Sequence, residues 1–570
     1  MSAAPHLSPS LFGLFAHHGK PLRGLMSTAT SPEFQGRFGL MFRSLPAAKY
    51  GATDDESRAA LLALGQAMTA SFDAAKDGAD PEESGIPALY TYLGQFIDHD
   101  ITFDPASSLQ KQNDPEALVD FRTPRLDLDC VYGRGPADQP YMFEDDGLHF
   151  RLGDPLTRNG KPSNAKDLPR INHRAIIGDK RNDENVIVSQ LQGVFLQFHN
   201  VVVDRLTDPT TKRLPDFADV QRVVRWHYQW VVLHDFLPKI VGQHMLHKVL
   251  PHLEKNNGSI YEDEPRLDFF SWRNDPFMPI EFAAAAYRFG HSMVRPIYRL
   301  NTELGSDATQ DQRDRGVAGR QFIFGAMRNE SLNGFRDFPS TWAIDWPLFF
   351  EFDRKLDDEA NSGPGRVQPS YKIDSSLVNP LAFLPEFSEP APGGNFHMDD
   401  DGHPKTKPNE IAMLALRNLL RGLRMGLPSG QMIARHMDIE PIPDEELKVG
   451  KANVDGLQIN KSIVDIASSF KDNAPLWFYV LAEGQHQWAQ EAEKSTDNEA
   501  KKNSIHVRLG PVGGRIVTEV LVGLMLGDPF SFLSQWPGWN PFLKDLPNFA
   551  PFAQEFKQFG IPELITVSGR

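Results

Sequence analysis

Stretches of apolar residues at helical spacing recur along the chain and constrain its fold more than any other feature. Side chains three or four positions apart lie on the same face of a helix, so such spacing predicts helices that bury one face. Strand-like alternation is scarce, and no repeat with a period between 20 and 50 residues is present. The pattern therefore predicts a mainly α chain with little β-structure. The predicted helices cover residues 54–74, 88–103, 186–206, 219–242, 279–298, 411–426, 474–493 and 513–535.

The domain organisation follows from composition along the chain. The length of 570 residues favours three or four domains as a prior, but no break in composition divides the chain. Residues 1–34 are rich in Ser, Pro, Gly and Ala without a sustained period, and we interpret them as an N-terminal arm. The segment 356–407 holds many Pro, Gly, Asp and Ser residues and is predicted to be a long surface loop. One large helical domain is the simplest arrangement.

Charge and cysteine content exclude several classes of partner. Lys and Arg number 59 and Asp and Glu 75, giving a net charge of −16, which argues against nucleic acid as a partner. No uninterrupted apolar run approaches the roughly 18 to 20 residues of a membrane span, and the N-terminus shows no secretory signal. Cys130 is the single cysteine, so no intramolecular disulfide forms. We expect a cytoplasmic protein, or one exported by a route without a cleavable signal.

Two acidic motifs carry candidate ligands. In the first motif Gln95, Asp98 and His99 share a helix face, although such a group alone is typical of a solvated helix end. In the second, TPRLDLDCVYG, Thr123, Asp127 and Asp129 place hard oxygen donors over seven residues, which suits calcium. The second motif lacks the spacing of an EF-hand loop, so alone it is equally typical of an acidic turn before a strand.

Two further motifs are ambiguous by themselves. In GDKRNDE, Arg181 and Glu184 stand at the spacing of a helical ion pair, which on a surface contributes little. His291 follows Gly290 on an apolar, Ala-rich segment. Such a histidine is typically a satisfied core residue, and it is also what a haem iron ligand looks like.

Five motifs in one order resolve these ambiguities by resemblance. The chain contains, in sequence, QFIDHDITF, TPRLDLDCVYG, GDKRNDE, YRFGHSMVRPIY and RNLLRGLRMGLP. In order and spacing they resemble the animal-type haem peroxidases, and among these a bacterial branch. The resemblance covers residues 35–545, so residues 546–570 are predicted to form a C-terminal tail. The resemblance implies a large helical peroxidase domain with haem b. It also implies that the chain reduces hydrogen peroxide and oxidises a small donor (halide, thiocyanate or a phenol) through a ferryl intermediate.

The resemblance assigns roles on both sides of the haem. His99 resembles the distal base, Arg181 the distal cation, and Gln95 the glutamine that binds pocket water or a halide. On the proximal side His291 resembles the iron ligand and Asn418 the residue that accepts its imidazole N–H.

Further residues match positions that hold the haem itself. Arg288 and Arg421 match the partners of the haem propionates. Asp98 and Glu184 match the carboxylates that form ester bonds to haem methyl groups. Asn185 stands where myeloperoxidase has a methionine, so no sulfonium link is expected.

The resemblance also carries over a calcium site. Its ligands are expected to be Asp100, Thr123, Asp127 and Asp129, with backbone carbonyls of Thr123 and Arg125. Asp129 replaces the serine usual in the family and keeps an oxygen donor. Because Asp100 adjoins His99, calcium would rigidify the helix that carries the base.

Alternative functions are weaker. Fatty-acid dioxygenases of the same superfamily use a tyrosine three residues before the proximal histidine, where this chain has Arg288, whereas Tyr287 lies four before. A non-catalytic haem or calcium-binding protein needs neither His99 nor Arg181. A zinc hydrolase is disfavoured because His244 and His247 lack a nearby acidic partner and no His-Glu-x-x-His occurs.

Overall fold

The chain is mainly helical, which confirms the predicted fold class. The computed structural model describes residues 36–70, 80–103, 118–158, 160–255, 258–273, 276–305, 309–310, 318–325, 331–352, 354–357, 361–382, 384 and 412–569. Its α-helices are α1 Asp54–Ala67, α2 Leu89–Ile101, α3 Asp129–Tyr132, α4 Val186–Leu206, α5 Phe217–Val231, α6 Leu237–Val241, α7 Gln243–Val249, α8 Ile280–Ala283, α9 Leu414–Arg424, α10 Gly430–His436, α11 Gly456–Ile459, α12 Ile463–Ile466, α13 Leu476–Lys494, α14 Glu499–Asn503, α15 Pro511–Gly527, α16 Phe532–Gln535 and α17 Ile561–Val567. A π-helical turn, Val232–Phe236, joins α5 to α6. The predicted N-terminal arm lies outside the described residues.

The strands are short and form small separate ladders. They are β1 Gly36–Gly39, β2 Glu83–Pro87, β3 Val119–Asp120, β4 Pro155–Arg158, β5 Lys161–Lys166, β6 Arg170–Ile171, β7 Arg174–Ala175, β8 Met278–Pro279, β9 Ile297–Tyr298, β10 Gln321–Phe322, β11 Pro369–Tyr371, β12 Lys448–Val449 and β13 Lys461–Ser462. The largest ladder has the order β3-β1-β8, antiparallel between β1 and β3 and parallel between β1 and β8. The other ladders are antiparallel pairs.

The core is built around α2, α4 and α5. Phe96 of α2 stacks on Phe195 of α4 with ring centroids 4.5 Å apart, and Tyr228 of α5 meets both rings edge-on. All three rings are fully buried, and each apolar ring removed from water contributes on the order of 1.5–3 kcal/mol. This packing fixes α2, which also carries Gln95 and His99.

One helix bears on the expectation that the chain has no membrane span. Within the described part of the chain, Val186–Leu206 alone is long and apolar enough to cross a membrane. Its most apolar 18-residue window is 89% buried inside the protein, as in a core helix.

The predicted helix over 279–298 is wrong beyond its first turn. Residues Ile280–Ala283 are helical, but Ala285 has φ −137° and ψ −76°, which ends the helix. A 3₁₀ turn, Ala286–His291, follows, and the chain is extended at Ile297–Tyr298. Pro296 disfavours helical backbone at the residue before it, so apolar content alone was a poor guide here.

The predicted surface loop over 356–407 is also wrong in its middle. Strand β11 pairs with β2, and Val367, Ile373 and Leu377 are buried. Apolar residues stand at alternate positions from Val367 to Ile373, which is a strand period that the Pro, Gly and Ser content obscured. Residues 358–360, 383 and 385–407 of the predicted loop lie outside the described residues.

The C-terminal segment joins the same core. Ile561 and Leu564 of α17 are fully buried, and α17 packs on α4. Residues 546–569 therefore contribute to the packing around α4, the helix that packs on α2.

Candidate active site

A cavity of about 590 Å³ lies between α2 on one side and the His291 turn with α9 on the other. His99 and Gln95 line one wall, and His291 and Asn418 line the opposite wall. Four of the five motifs quoted from the sequence therefore meet at one place, although Gln95 and Asn418 are 323 residues apart along the chain.

His99 is buried and held in one orientation. Its Nδ1 lies 2.8 Å from Oδ1 of Asn182, and Asn182 Nδ2 donates to Gln192 Oε1 at 2.8 Å, which fixes the amide. An amide oxygen only accepts, so Nδ1 carries the proton and Nε2 keeps its lone pair on the side of the cavity. Burial, and then the charge of Arg181, lower the pKa of His99 to about 4. Sequence reasoning missed Asn182, although it lies inside the GDKRNDE motif.

Arg181 is tied to the end of α2. Its Nη2 donates to the backbone oxygens of His99 at 3.0 Å and Thr102 at 2.6 Å. Asp179 pairs with the same guanidinium at 2.8 Å. Burial alone would lower the pKa of Arg181, but Asp179 outweighs it and the pKa is raised. Arg181 is thus a permanent cation in the cavity wall, next to the backbone of His99.

Gln95, Glu184 and Asn185 form a hydrogen-bonded row along the same wall. Gln95 Nε2 donates to Glu184 Oε2 at 3.1 Å, and Asn185 Nδ2 donates to Gln95 Oε1 at 3.2 Å. Asn185 also caps α4, since its Oδ1 accepts from the backbone N–H groups of Ile187 and Val188. Asn185, which stands where myeloperoxidase has a methionine, therefore stabilises the N-terminus of α4.

The two candidate ester carboxylates both line the cavity. Asp98 Oδ1 accepts from the Thr102 hydroxyl at 3.1 Å, and Glu184 Oε2 lies 4.0 Å from His99 Nε2. They therefore stand beside the candidate base, one on α2 and one before α4.

The opposite wall presents a neutral imidazole. Asn418 Nδ2 lies 2.8 Å from His291 Nδ1, so in this orientation the amide donates to Nδ1; only with the amide turned over does Oδ1 accept from Nδ1–H. That orientation leaves Nε2 of His291 with the lone pair a metal ligand needs. Burial and then Arg288 lower the pKa of His291 to about 3, so the ring is neutral.

Three arginines lie at the rim of this wall. Arg288 and Arg421, predicted from the resemblance, are joined by Arg417, which sequence reasoning missed although it stands one helical turn before Arg421 on α9. Arg288 Nε donates to the backbone oxygen of Ala283 at 2.8 Å. Two facing imidazoles with a basic rim fit haem: His291 would hold the iron, and the arginines would pair with the propionates.

Tyr287 lines the same cavity. Its ring is buried against Phe282 at 4.5 Å, and its hydroxyl has no hydrogen-bond partner within the described ranges. Burial raises the pKa of Tyr287, so its hydroxyl is protonated.

Three carboxylates lie close together at the C-terminal end of α2. Ligand oxygens of Asp100, Asp127 and Asp129 lie within 4.8 Å of one another, and both oxygens of Asp100 are buried without a hydrogen-bond partner in the part of the chain described. Burial, and then Asp127 and Asp129, raise the pKa of Asp100, while Asp129 is raised to about 7 mainly by burial. Unpartnered buried oxygens of like charge fit a divalent cation, and an oxygen-only donor set suits calcium.

The remaining predicted calcium ligands lie in the adjoining turn. Thr123 Oγ1 donates to Asp127 Oδ2 at 2.9 Å, which brings its hydroxyl to the carboxylates. Arg125 N donates to the Thr123 carbonyl at 2.8 Å. The role of the Thr123 and Arg125 carbonyls as ligands stays a prediction.

Comparisons with known proteins show which families the chain resembles. The animal haem peroxidase family model matches residues 108–324. A peroxidase of Drosophila melanogaster is 26% identical over 212 residues, which cover 35% of this chain and only 29% of that relative's length. Among solved structures, peroxidase A of Dictyostelium discoideum has a TM-score of 0.52 at 14% identity and covers 95% of this chain and 94% of its own. A fatty acid alpha-dioxygenase of Oryza sativa has a TM-score of 0.52 at 12% identity, with coverages of 89% and 77%.

Proposed function

We propose that this chain is a haem peroxidase, because it is similar in sequence to animal haem peroxidases over residues 108–324 and similar in fold to a peroxidase and a fatty acid dioxygenase. It reduces hydrogen peroxide and oxidises a small donor. The observation that carries the proposal is the pair of oriented, neutral imidazoles across one cavity, His99 held by Asn182 and His291 held by Asn418. When bound, haem supplies the iron at which peroxide is reduced.

His99 acts as the proton carrier. Its Nε2 would take a proton from one oxygen of hydrogen peroxide and return it to the other oxygen, which leaves as water. Because its pKa is about 4, the ring is neutral and able to accept a proton over the physiological range.

Arg181 supplies fixed positive charge. The carbonyls of His99 and Thr102 and the carboxylate of Asp179 hold the guanidinium in place, so it needs no reorganisation while the oxygen–oxygen bond breaks. Such a group stabilises the negative charge that develops on the departing oxygen.

Asp98 and Glu184 are proposed to attach the haem. Both carboxylates line the cavity, as ester formation to haem methyl groups requires. Asn185 offers no sulfur, so a third link is not proposed.

Calcium is proposed at Asp100, Asp127 and Asp129. It would offset two of the three negative charges of these carboxylates and join α2 to the turn that begins α3. Since Asp100 follows His99 directly, the cation would hold the end of α2 that carries the base.

The test compares turnover in single and double variants. His99→Ala should lower peroxide turnover roughly 10²- to 10⁴-fold, and Arg181→Ala about 10²- to 10³-fold. Because both groups act on the same bond cleavage, the double variant should lose less than the product of the single losses. His149→Ala, a histidine that lines neither described cavity, is the control. Parental turnover in the double variant would refute the proposal.

Oxygenation of a fatty acid is a second candidate, because Tyr287 lines the cavity with an unpartnered hydroxyl. The rice structural neighbour is a fatty acid alpha-dioxygenase. Oxygen uptake with a fatty acid that disappears in Tyr287→Phe, while peroxide turnover persists, would establish this activity. Absence of fatty-acid-dependent oxygen uptake would reject it.

A further inference from the structure

A second, larger cavity adjoins the active site. It has a volume of about 890 Å³ and shares Asp98, Arg181, Glu184, Arg288, Phe335, Arg417 and Arg421 with the first cavity. Its other lining residues include Arg174 and Lys180, both exposed. A route from solvent to the active site therefore passes these two side chains.

The charge of this cavity opposes that of the whole protein. Six basic side chains and three carboxylates line it, in a chain whose net charge is −16. One of the carboxylates, Asp183, is already paired with Arg170 through two contacts of 2.7 and 2.8 Å. A cleft of one sign concentrates ions of the other sign, so the field in this cavity attracts anions.

Arg174 is held at the mouth by a tight hairpin. Strands β6 and β7 are joined by Asn172 and His173, whose φ angles of 49° and 69° form a turn of the type that fits the twist of a two-residue hairpin. Arg170, at the start of the hairpin, clamps it to Asp183. The position of Arg174 is therefore fixed relative to the turn that carries Arg181.

Lys180 stands on that same turn. It opens the 3₁₀ turn Lys180–Asp183, which Asp179 caps by accepting from the N–H of Arg181 at 2.8 Å. Within the described residues neither Arg174 nor Lys180 has a side-chain hydrogen bond or ion pair. Arg288 and Arg421 are assigned to the haem propionates, so Arg174 and Lys180 are available to bind another anion.

Phe335 gives the mouth an apolar side. Its ring is 47% exposed and borders both cavities. Its φ of 55° is unusual for a bulky residue and strains the backbone. The N–H of Phe335 donates to the carbonyl of Asp183 at 2.8 Å, which holds the strained backbone against the Lys180–Asp183 turn.

We propose that this cavity admits carboxylate-bearing organic reductants, whose carboxylate is recognised by Arg174 and Lys180 while the ring packs on Phe335. The inference rests on the proposed peroxidase function and names its substrate class. For a phenolic acid the balance is one hydrogen peroxide and two phenols giving two waters and two phenoxyl radicals. Each phenol loses one electron and one proton.

The experiment uses one phenol in three charge states, namely 4-hydroxyphenylacetate, its methyl ester and tyramine. Donor kcat/KM is measured at saturating peroxide in the haem-loaded wild type and in Arg174→Gln/Lys180→Gln. Arg213→Gln/Lys471→Gln is the matched control, since it removes two basic groups that line neither described cavity. The rate of the reaction with peroxide alone is measured in each protein.

The wild type should prefer the acid to the ester by about tenfold at low salt and should use tyramine least. This preference should fall as salt rises. The cavity variant should lose it, while the control variant and the peroxide-only rate stay unchanged. Equal use of all three phenols by a wild type that reacts with peroxide would overturn the inference and leave the proposed function standing.

If the protein does not react with peroxide, calorimetry of the binding of the three phenols tests the anion site separately from the peroxidase function. Tighter binding of the acid that depends on Arg174 and Lys180 would then support the anion site alone. Equal binding of the acid and the ester would reject that site.

Discussion

Asn182 fixes the proton on His99, and removing it should slow the reaction with peroxide. In Asn182→Ala the Nδ1–H of His99 and Oε1 of Gln192 both lose their buried partner. An unpaired buried polar group costs about 1–3 kcal/mol. If all of this cost destabilises the tautomer whose Nε2 can accept a proton, the rate of the reaction with peroxide falls by about 5- to 150-fold.

Asn182→Asp separates orientation from general damage to the fold. A carboxylate facing Nδ1 keeps an acceptor there and also stabilises the charged imidazole, which raises the pKa by about 1–3 units. The pKa of His99 is about 4 in the parent, so the rate of the parent protein should fall only as the pH approaches 4. In Asn182→Asp the fall should begin at higher pH, while the rate at pH 8 stays near the parental value.

The assay is stopped-flow absorbance of haem-loaded protein mixed with peroxide between pH 4 and 8. Asn301→Ala is the matched control, because Asn301 is a buried asparagine that bonds backbone oxygens of Thr341 and Ala343 and lines neither described cavity. Asn182→Ala that reacts at the parental rate across this range would refute the argument that Asn182 sets the tautomer.

The other predictions concern haem, calcium and acid stability. His291→Ala should abolish or strongly perturb haem binding in a hemin titration followed by absorbance; an unchanged haem spectrum would contradict the ligand assignment. After repeated turnover, acid-acetone should extract little haem from the wild type and all of it from Asp98→Asn/Glu184→Gln; full extraction from the wild type would reject the ester bonds. A chelator should lower Tm in the wild type, calcium should restore it, and Asp127→Ala should respond to neither; a Tm indifferent to chelator in the wild type would reject the calcium site. His227 has its pKa lowered from 6.5 to about 4 by burial, so the unfolded chain binds more protons between these values. Its contribution of about 3 kcal/mol is present above pH 6.5 and lost as pH falls to 4. The unfolding free energy in urea should therefore change less favourably from pH 7 to pH 4.5 in the wild type than in His227→Gln, and the same change in both proteins would contradict it.

Periodicity located the long helices because local spacing and tertiary burial agree there. Helix α4 begins at the predicted Val186, where Asn185 caps it, and ends at the predicted Leu206. The segment 279–298 misled because apolar residues fill a chain buried on all sides, where spacing no longer distinguishes a helix from an irregular path. The strand at Pro369–Tyr371 was missed because its alternation is short and lies in a Pro- and Gly-rich stretch.

The haem-site residues taken from the motifs line one cavity, yet their partners could not be derived from the sequence. Asn182 matters because its amide reaches His99 from a turn 83 residues away along the chain. Arg174 matters because a hairpin and the Arg170 clamp direct it to the cavity mouth. No period or spacing encodes such contacts, since they depend on how separate elements pack.

The most direct test of the account is the rate at which the haem-loaded protein reacts with one equivalent of hydrogen peroxide, compared between the wild type and His99→Ala. The account predicts a rapid absorbance change in the wild type and a rate roughly 10²- to 10⁴-fold lower in the variant. The resting haem spectrum should be the same in both, because His291 still holds the iron. A variant that reacts with peroxide at the parental rate would contradict the central claim.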